Sequence, residues 1–167
     1  MDAFRTILAA LDGSGTRYVV VGGVAVVLHG ASRLTADLDV VIDLEPEPAR
    51  QALAALEKIG LQPRLPVPTE DFADPEKRSR WIAEKGMKVF SLVDFSNPLR
   101  SVDLFVEPPL DFEELWEHAV TVDVDGIPVR IASLEDLIAI KREAGRPKDL
   151  EDADRLETLR RARERDP

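Results

Sequence analysis

Asp37 and Asp39 lie two residues apart in the segment Ala36 to Asp43, where Leu38, Val40 and Ile42 alternate with them. Residues two apart on a strand project from one face. The spacing therefore predicts a strand with Leu38, Val40 and Ile42 turned into the core and Asp37, Asp39, Val41 and Asp43 on the other side. Two carboxylates held that close repel each other and raise each other's pKa unless a cation neutralises them. The sequence has no cysteine and two histidines, His29 and His118, which excludes disulfides, thiolate metal sites and a histidine-rich zinc centre. The cation that fits is hard and oxygen-bound, magnesium or manganese. Asp-x-Asp by itself also fits two solvated acids on an exposed strand, so the neighbouring residues decide.

Gly22-Gly23 follows the apolar run Tyr18 to Val21 and precedes Val24 to Leu28. A glycine pair between a buried strand and a short helix lets backbone N–H groups approach a phosphate unobstructed, although a tight turn with positive φ needs the same residues. A third acid, Asp103, lies in the segment Arg100 to Val106, where Val102, Leu104 and Val106 face one side and Ser101, Asp103 and Phe105 the other. If that strand lies beside the first, three carboxylates converge. Such a set suits two metal ions about 4 Å apart, with Asp103 as ligand and general base. Asp94 is the rival third acid, but its place next to Ser96-Asn97-Pro98 assigns it to that turn.

The elements that must position these residues read as a mixed sheet covered by helices, an α/β (α+β) chain. Phe4, Ile7, Leu8 and Leu11 have helical spacing. Pro46 and Pro48 open a helix running to about Ile59. Thr69 to Gly86 is polar and partly helical, Met87 to Val93 and Arg100 to Val106 are strands, and Asp111 to His118 is a short helix. Val120 to Asp123 and Val129 to Ile131 form a hairpin through Asp125-Gly126. Ser133 caps a helix with Asp136 at the capping-box position, and Pro147 starts the last one. The 167 residues make one domain, with a core at about 17–131 and a C-terminal helical pair at about 133–165.

The net charge is −10, which disfavours an extended nucleic-acid face. Residues 1–140 carry 13 basic and 24 acidic side chains, whereas 141–167 carry 9 and 8, so an anion site fits best at the C-terminal end. The longest apolar run, Tyr18 to Leu28, falls short of the ~20 residues that span a bilayer. The N-terminus lacks the basic-then-apolar pattern of a secretory signal. Both point to the cytoplasm.

Gly22-Gly23, thirteen intervening residues, Asp37-Leu38-Asp39 and the later Asp103 resemble the nucleotidyltransferase fold of the DNA polymerase beta superfamily. Gly22-Gly23-Val24-Ala25 through His29-Gly30 and Arg33-Leu34-Thr35-Ala36-Asp37-Leu38-Asp39 resemble the small bacterial nucleotidyltransferases, including those akin to the AbiEii abortive-infection toxins. Ser133-Leu134-Glu135-Asp136-Leu137, Lys141 and Gly145 to Asp152 are similar to the closing motif of that group. The likeness covers roughly residues 17–155, with 60–100 unmatched. It departs at Gly23, where many members carry a serine that touches phosphate.

The resemblance implies transfer of a nucleoside monophosphate from a nucleoside triphosphate to a hydroxyl or phosphate of a small molecule, protein or tRNA end. It also raises a toxin–antitoxin setting with a cognate partner protein. Asp37, Asp39 and Asp103 would bind magnesium or manganese, and Gly22 and Gly23 would hold the triphosphate. Arg33, Thr35, Lys141, Arg146 and Lys148 join the nucleotide-binding set. Arg33 beside acids equally fits a surface ion pair, whereas the surrounding motif tips Lys141 toward function over a solvated lysine. Arg146 and Lys148 sit at a helix start, where the dipole disfavours cations, so a bound phosphate or Asp149 and Asp152 must compensate. His29 reads as a helix-end residue favoured by the dipole, and Trp81 and Trp116 as packing residues. Two other classes fit the same pattern: a non-catalytic nucleotide-binding or antitoxin-type module, and a metal-dependent phosphohydrolase that needs no triphosphate cradle.

Overall fold

The computed structural model describes residues 2–165. A helix α1 (Asp2–Ser14) leads into β1 (Tyr18–Val21), the short helix α2 (Gly22–Leu28) and β2 (Leu38–Ile42). There follow α3 (Pro46–Lys58), a two-residue strand β3 (Gln62–Pro63), a 3-10 turn (Thr69–Ala73) and α4 (Pro75–Lys85). The chain closes with β4 (Val89–Val93), β5 (Ser101–Phe105), α5 (Phe112–His118), the hairpin β6 (Val120–Val124) and β7 (Ile127–Ile131), and the helices α6 (Leu134–Ala144) and α7 (Pro147–Arg165). The expected mixed α/β architecture with a C-terminal helical pair is present.

The seven strands form one sheet in the order β3-β4-β5-β2-β1-β7-β6. β2 lies antiparallel to β1 and parallel to β5, so the strand carrying Asp39 is flanked by the strand that ends in the glycine turn and by the strand that carries Asp103. Every residue of β1 is buried, and Leu38, Val40, Val41 and Ile42 of β2 are fully buried. Helices therefore cover both faces of the central strands. Val41 shares the face of Asp39, as the alternation predicts, and packs in the core, because that face is open only where the strand begins.

Several elements differ from the sequence reading. β2 starts at Leu38 rather than Ala36, leaving Asp37 exposed in the segment that enters the strand. α2 includes the glycine pair rather than following it. β3 has no sequence signal: two residues, one a proline, pair with the outer edge of β4. The caps agree with their residue types. Asp74, Asp111 and Ser133 accept hydrogen bonds from backbone N–H groups at the starts of α4, α5 and α6, each worth about 1 kcal/mol.

Candidate active site

Asp39 is the register partner of Val21 on one side and of Asp103 on the other. The two carboxylates thus stand on neighbouring parallel strands, roughly 4.8 Å apart at the backbone, beside the point where β1 turns into α2. Burial pushes the Asp39 carboxyl up to about 6, helped by the charges of Asp103 and Asp37 and opposed by Lys141 and a hydrogen bond from the Gly23 backbone N–H. Among the described residues, no three acidic or histidine side chains already form a closed metal cage. Asp39 and Asp103 form the pair, and Asp37 stands at its solvent edge.

The glycine turn exists to let Asp39 approach. Gly22 has φ +64°, and a Cβ there would lie 2.0 Å from Asp39 Oδ2. A Cβ at Gly23 would meet Thr35 Oγ1 at 2.6 Å and the Arg33 guanidinium at 3.0 Å. The room a serine would need at position 23 is therefore occupied by the Thr35 hydroxyl and Arg33. The segment 31–37 folds back over the turn and supplies the hydroxyl and the cation from a different part of the chain.

The expected cations are organised by acids of α7. Arg33 pairs with Asp152 across 119 positions of sequence. Lys141 Nζ, buried at 5% exposure, reaches Asp149 Oδ1 at 2.9 Å and Asp152 Oδ2 at 3.1 Å. Arg146 Nε reaches Asp149 Oδ2 at 2.5 Å. Burial alone would raise Asp149, but the hydrogen bonds from Arg146 and Lys141 outweigh it and hold the carboxyl below the ordinary aspartate value. Lys141 is therefore neither a solvated lysine nor a surface ion pair. It ties α6 to Asp149 and Asp152 of α7. Lys148 is exposed at the start of α7, apart from this network.

The remaining candidates have structural work. Asp94 accepts from the Ser96 backbone and hydroxyl at 2.8 and 2.6 Å and from Arg100 at 2.9 Å, so it closes the β4–β5 turn as expected. His29 Nε2 is 2.8 Å from the Ala132 carbonyl, and burial lowers its pKa. It is a neutral core residue at the end of α2, not a cation favoured by the dipole. Trp81 stacks on Phe90 with centroids 5.4 Å apart, and the Arg130 guanidinium lies 4.1 Å from the Trp116 ring centroid. Ser91, which the sequence pattern did not single out, donates a 2.5 Å hydrogen bond to Asp103 Oδ1.

The family model described as a nucleotidyltransferase of unknown function, DUF6036, matches residues 2–161. The chain belongs to this family. Solved structures of other nucleotidyltransferases share its fold. The lincosamide antibiotic adenylyltransferase LnuA, with lincomycin bound, is 15% identical with a TM-score of 0.62, covering 95% of this chain and 97% of that one. The antibiotic-resistance factor ANT(2'')-Ia is 18% identical with a TM-score of 0.57, covering 98% and 91%. A nucleotidyltransferase-like protein from Paracoccidioides brasiliensis is 18% identical with a TM-score of 0.57, covering 94% and 75%. No curated protein matches the sequence. Within this nucleotidyltransferase, the acidic pair, the glycine turn and the Lys141 network meet at one end of the central strands, and no helix among the described residues is long and apolar enough to cross a membrane.

Proposed function

We propose that this nucleotidyltransferase moves a nucleoside monophosphate from a magnesium-bound nucleoside triphosphate to the hydroxyl of a small neutral or cationic acceptor in the cytoplasm. The observation that carries the proposal is the juxtaposition of Asp39 and Asp103 beside the Gly22-Gly23 turn. Their hard oxygen donors fit a divalent cation, and the pKa of Asp39, raised first by burial and then by the charges of Asp103 and Asp37, reflects a cost of ionisation that such a cation offsets. Asp39 and Asp103 would hold the metal, with Asp37 joining from the entry of β2. When bound, magnesium would offset the charge of the triphosphate and of the reacting oxygens.

The chain's own residues account for the rest. Asp103 accepts the proton of the acceptor hydroxyl. That oxygen forms a bond to the α-phosphorus as the bond to the bridging oxygen breaks, and pyrophosphate leaves. Gly22, Gly23, Thr35, Arg33, Lys141 and Arg146 would line the place for the triphosphate, whereas Lys148 stands apart at the exposed start of α7. The net charge of −10 supports a small acceptor over a long polynucleotide. The lincosamide in the structural relative is an acceptor-sized precedent of this kind. A toxin–antitoxin role rests on the sequence resemblance to AbiEii-like proteins alone.

Pyrophosphate release tests the proposal, using each of the four nucleoside triphosphates with magnesium and a panel of lincomycin, tobramycin and tRNA. The expected result is acceptor-dependent release that falls by about a hundredfold or more in Asp39→Asn and in Asp103→Asn. Tight nucleotide binding with no turnover on any acceptor would instead favour the binding module, and turnover intact in both variants would overturn the assignment of the site.

A further inference from the structure

Strand β4 contributes no residue that the motifs mark as chemical, yet its central side chain touches the site. Ser91 is the register partner of Asp103 across the antiparallel β4–β5 ladder, and its Oγ donates to Asp103 Oδ1 at 2.5 Å. Cross-strand partners on one face stand about 4.5–5.5 Å apart at Cβ, so a serine there reaches a facing aspartate without strain. The interior of a strand between β3 and β5 favours a β-branched residue, and Ser91 stands between Val89 and Val93 on its own face. Its backbone carbonyl already accepts from Arg64 N at 2.9 Å, so the hydroxyl is not needed to satisfy the ladder. Among the described residues, no other side chain donates to the Asp103 carboxylate.

We propose that Ser91 is a positioning residue for the third carboxylate, resting on the role given to Asp103 above. By tying down Oδ1 it fixes the plane of the carboxylate and presents Oδ2 to the cation and to the acceptor hydroxyl. A hydrogen-bonded partner that orients a metal-binding carboxylate is worth about 10–100-fold in metal affinity or activity. The effect acts on the reacting end of the site and leaves the triphosphate contacts alone.

The test compares wild type, Ser91→Ala, Ser91→Thr and Asp103→Asn. Mn2+ binding is measured by electron paramagnetic resonance with the non-hydrolysable α,β-methylene-ATP, and turnover is measured in the assay above. Ser91→Ala is expected to weaken Mn2+ binding and lower kcat by about 10–100-fold each, with KM for the nucleotide and Tm unchanged, while Ser91→Thr recovers both. If Ser91→Ala matches wild type while Asp103→Asn fails, Ser91 is silent and the proposal is overturned with the role of Asp103 intact. A loss in Ser91→Ala that comes with a lowered Tm and is not recovered by threonine also overturns it, as a packing effect. If Asp103→Asn keeps Mn2+ binding and turnover, or wild type binds no Mn2+, the role of Asp103 falls and this proposal falls with it.

Discussion

Asp39 is held in a position that costs the folded protein stability. Its carboxyl rises from an ordinary value of 3.8 to about 6 on folding, through burial first and the neighbouring carboxylates second. Between those values the native state binds more protons than the unfolded state, so stability falls as pH rises through the window, and the full penalty is present above about 6. Asp39→Asn removes it. The variant is expected to be more stable than wild type by about 1–3 kcal/mol at pH 7 without metal, a gain largely lost by pH 4, as urea unfolding at both pH values will show. Magnesium is expected to raise the Tm of wild type and not of this variant. Gly22→Ala should act in the opposite direction: positive φ and a Cβ at 2.0 Å from Asp39 Oδ2 predict a loss of about 1–3 kcal/mol in the same measurement, together with loss of turnover. These residues were legible because glycines and alternating acids carry their constraints locally. Ser91 was not, since its role depends on a partner across the sheet, and a single serine among valines has no distinguishing spacing.

At the scale of elements, α6 and α7 are tied to the glycine turn through Asp152. This side chain is 3% exposed and receives both Arg33 and Lys141. Removing its charge leaves two cations partly uncompensated in a buried setting, and breaking a buried pair typically costs about 3–5 kcal/mol. Asp152→Asn is therefore expected to lower the urea midpoint by an amount equivalent to several kcal/mol and to detach Arg33 from the turn. Isothermal titration should show weakened nucleotide binding as well. A variant as stable as wild type with unchanged nucleotide affinity would contradict the role given to this network. The helices were readable from Ser133 and Pro147, and Asp149 and Asp152 were identifiable as partners for cations near the start of α7. That Arg33 would be one of those cations was not, because the contact joins a loop to a helix 119 residues away. The start of β2 was misplaced for a related reason. Ala36 and Asp37 continue the alternation, but the chain there bends to lay Arg33 and Thr35 over Gly23, and this tertiary demand overrides the pattern.

Across the whole molecule, charge is sorted so that acids dominate the body while the cations of the candidate site belong to the segment before β2 and to the C-terminal helices. The sheet order places the acidic pair at the centre, on β2 and β5 between β1 and β4, where helices on both faces hold the strands rigid. A site on rigid central strands can keep two repelling carboxylates in place where a loop could not. The proposed transfer requires those carboxylates to bind metal together with a triphosphate. A crystal soaked with Mn2+ and α,β-methylene-ATP tests this directly through the anomalous signal of manganese. The predicted result is a peak contacted by Asp39 and Asp103, with the triphosphate lying between it and the Gly22-Gly23 turn. A peak elsewhere, or a triphosphate bound away from both carboxylates, would contradict it.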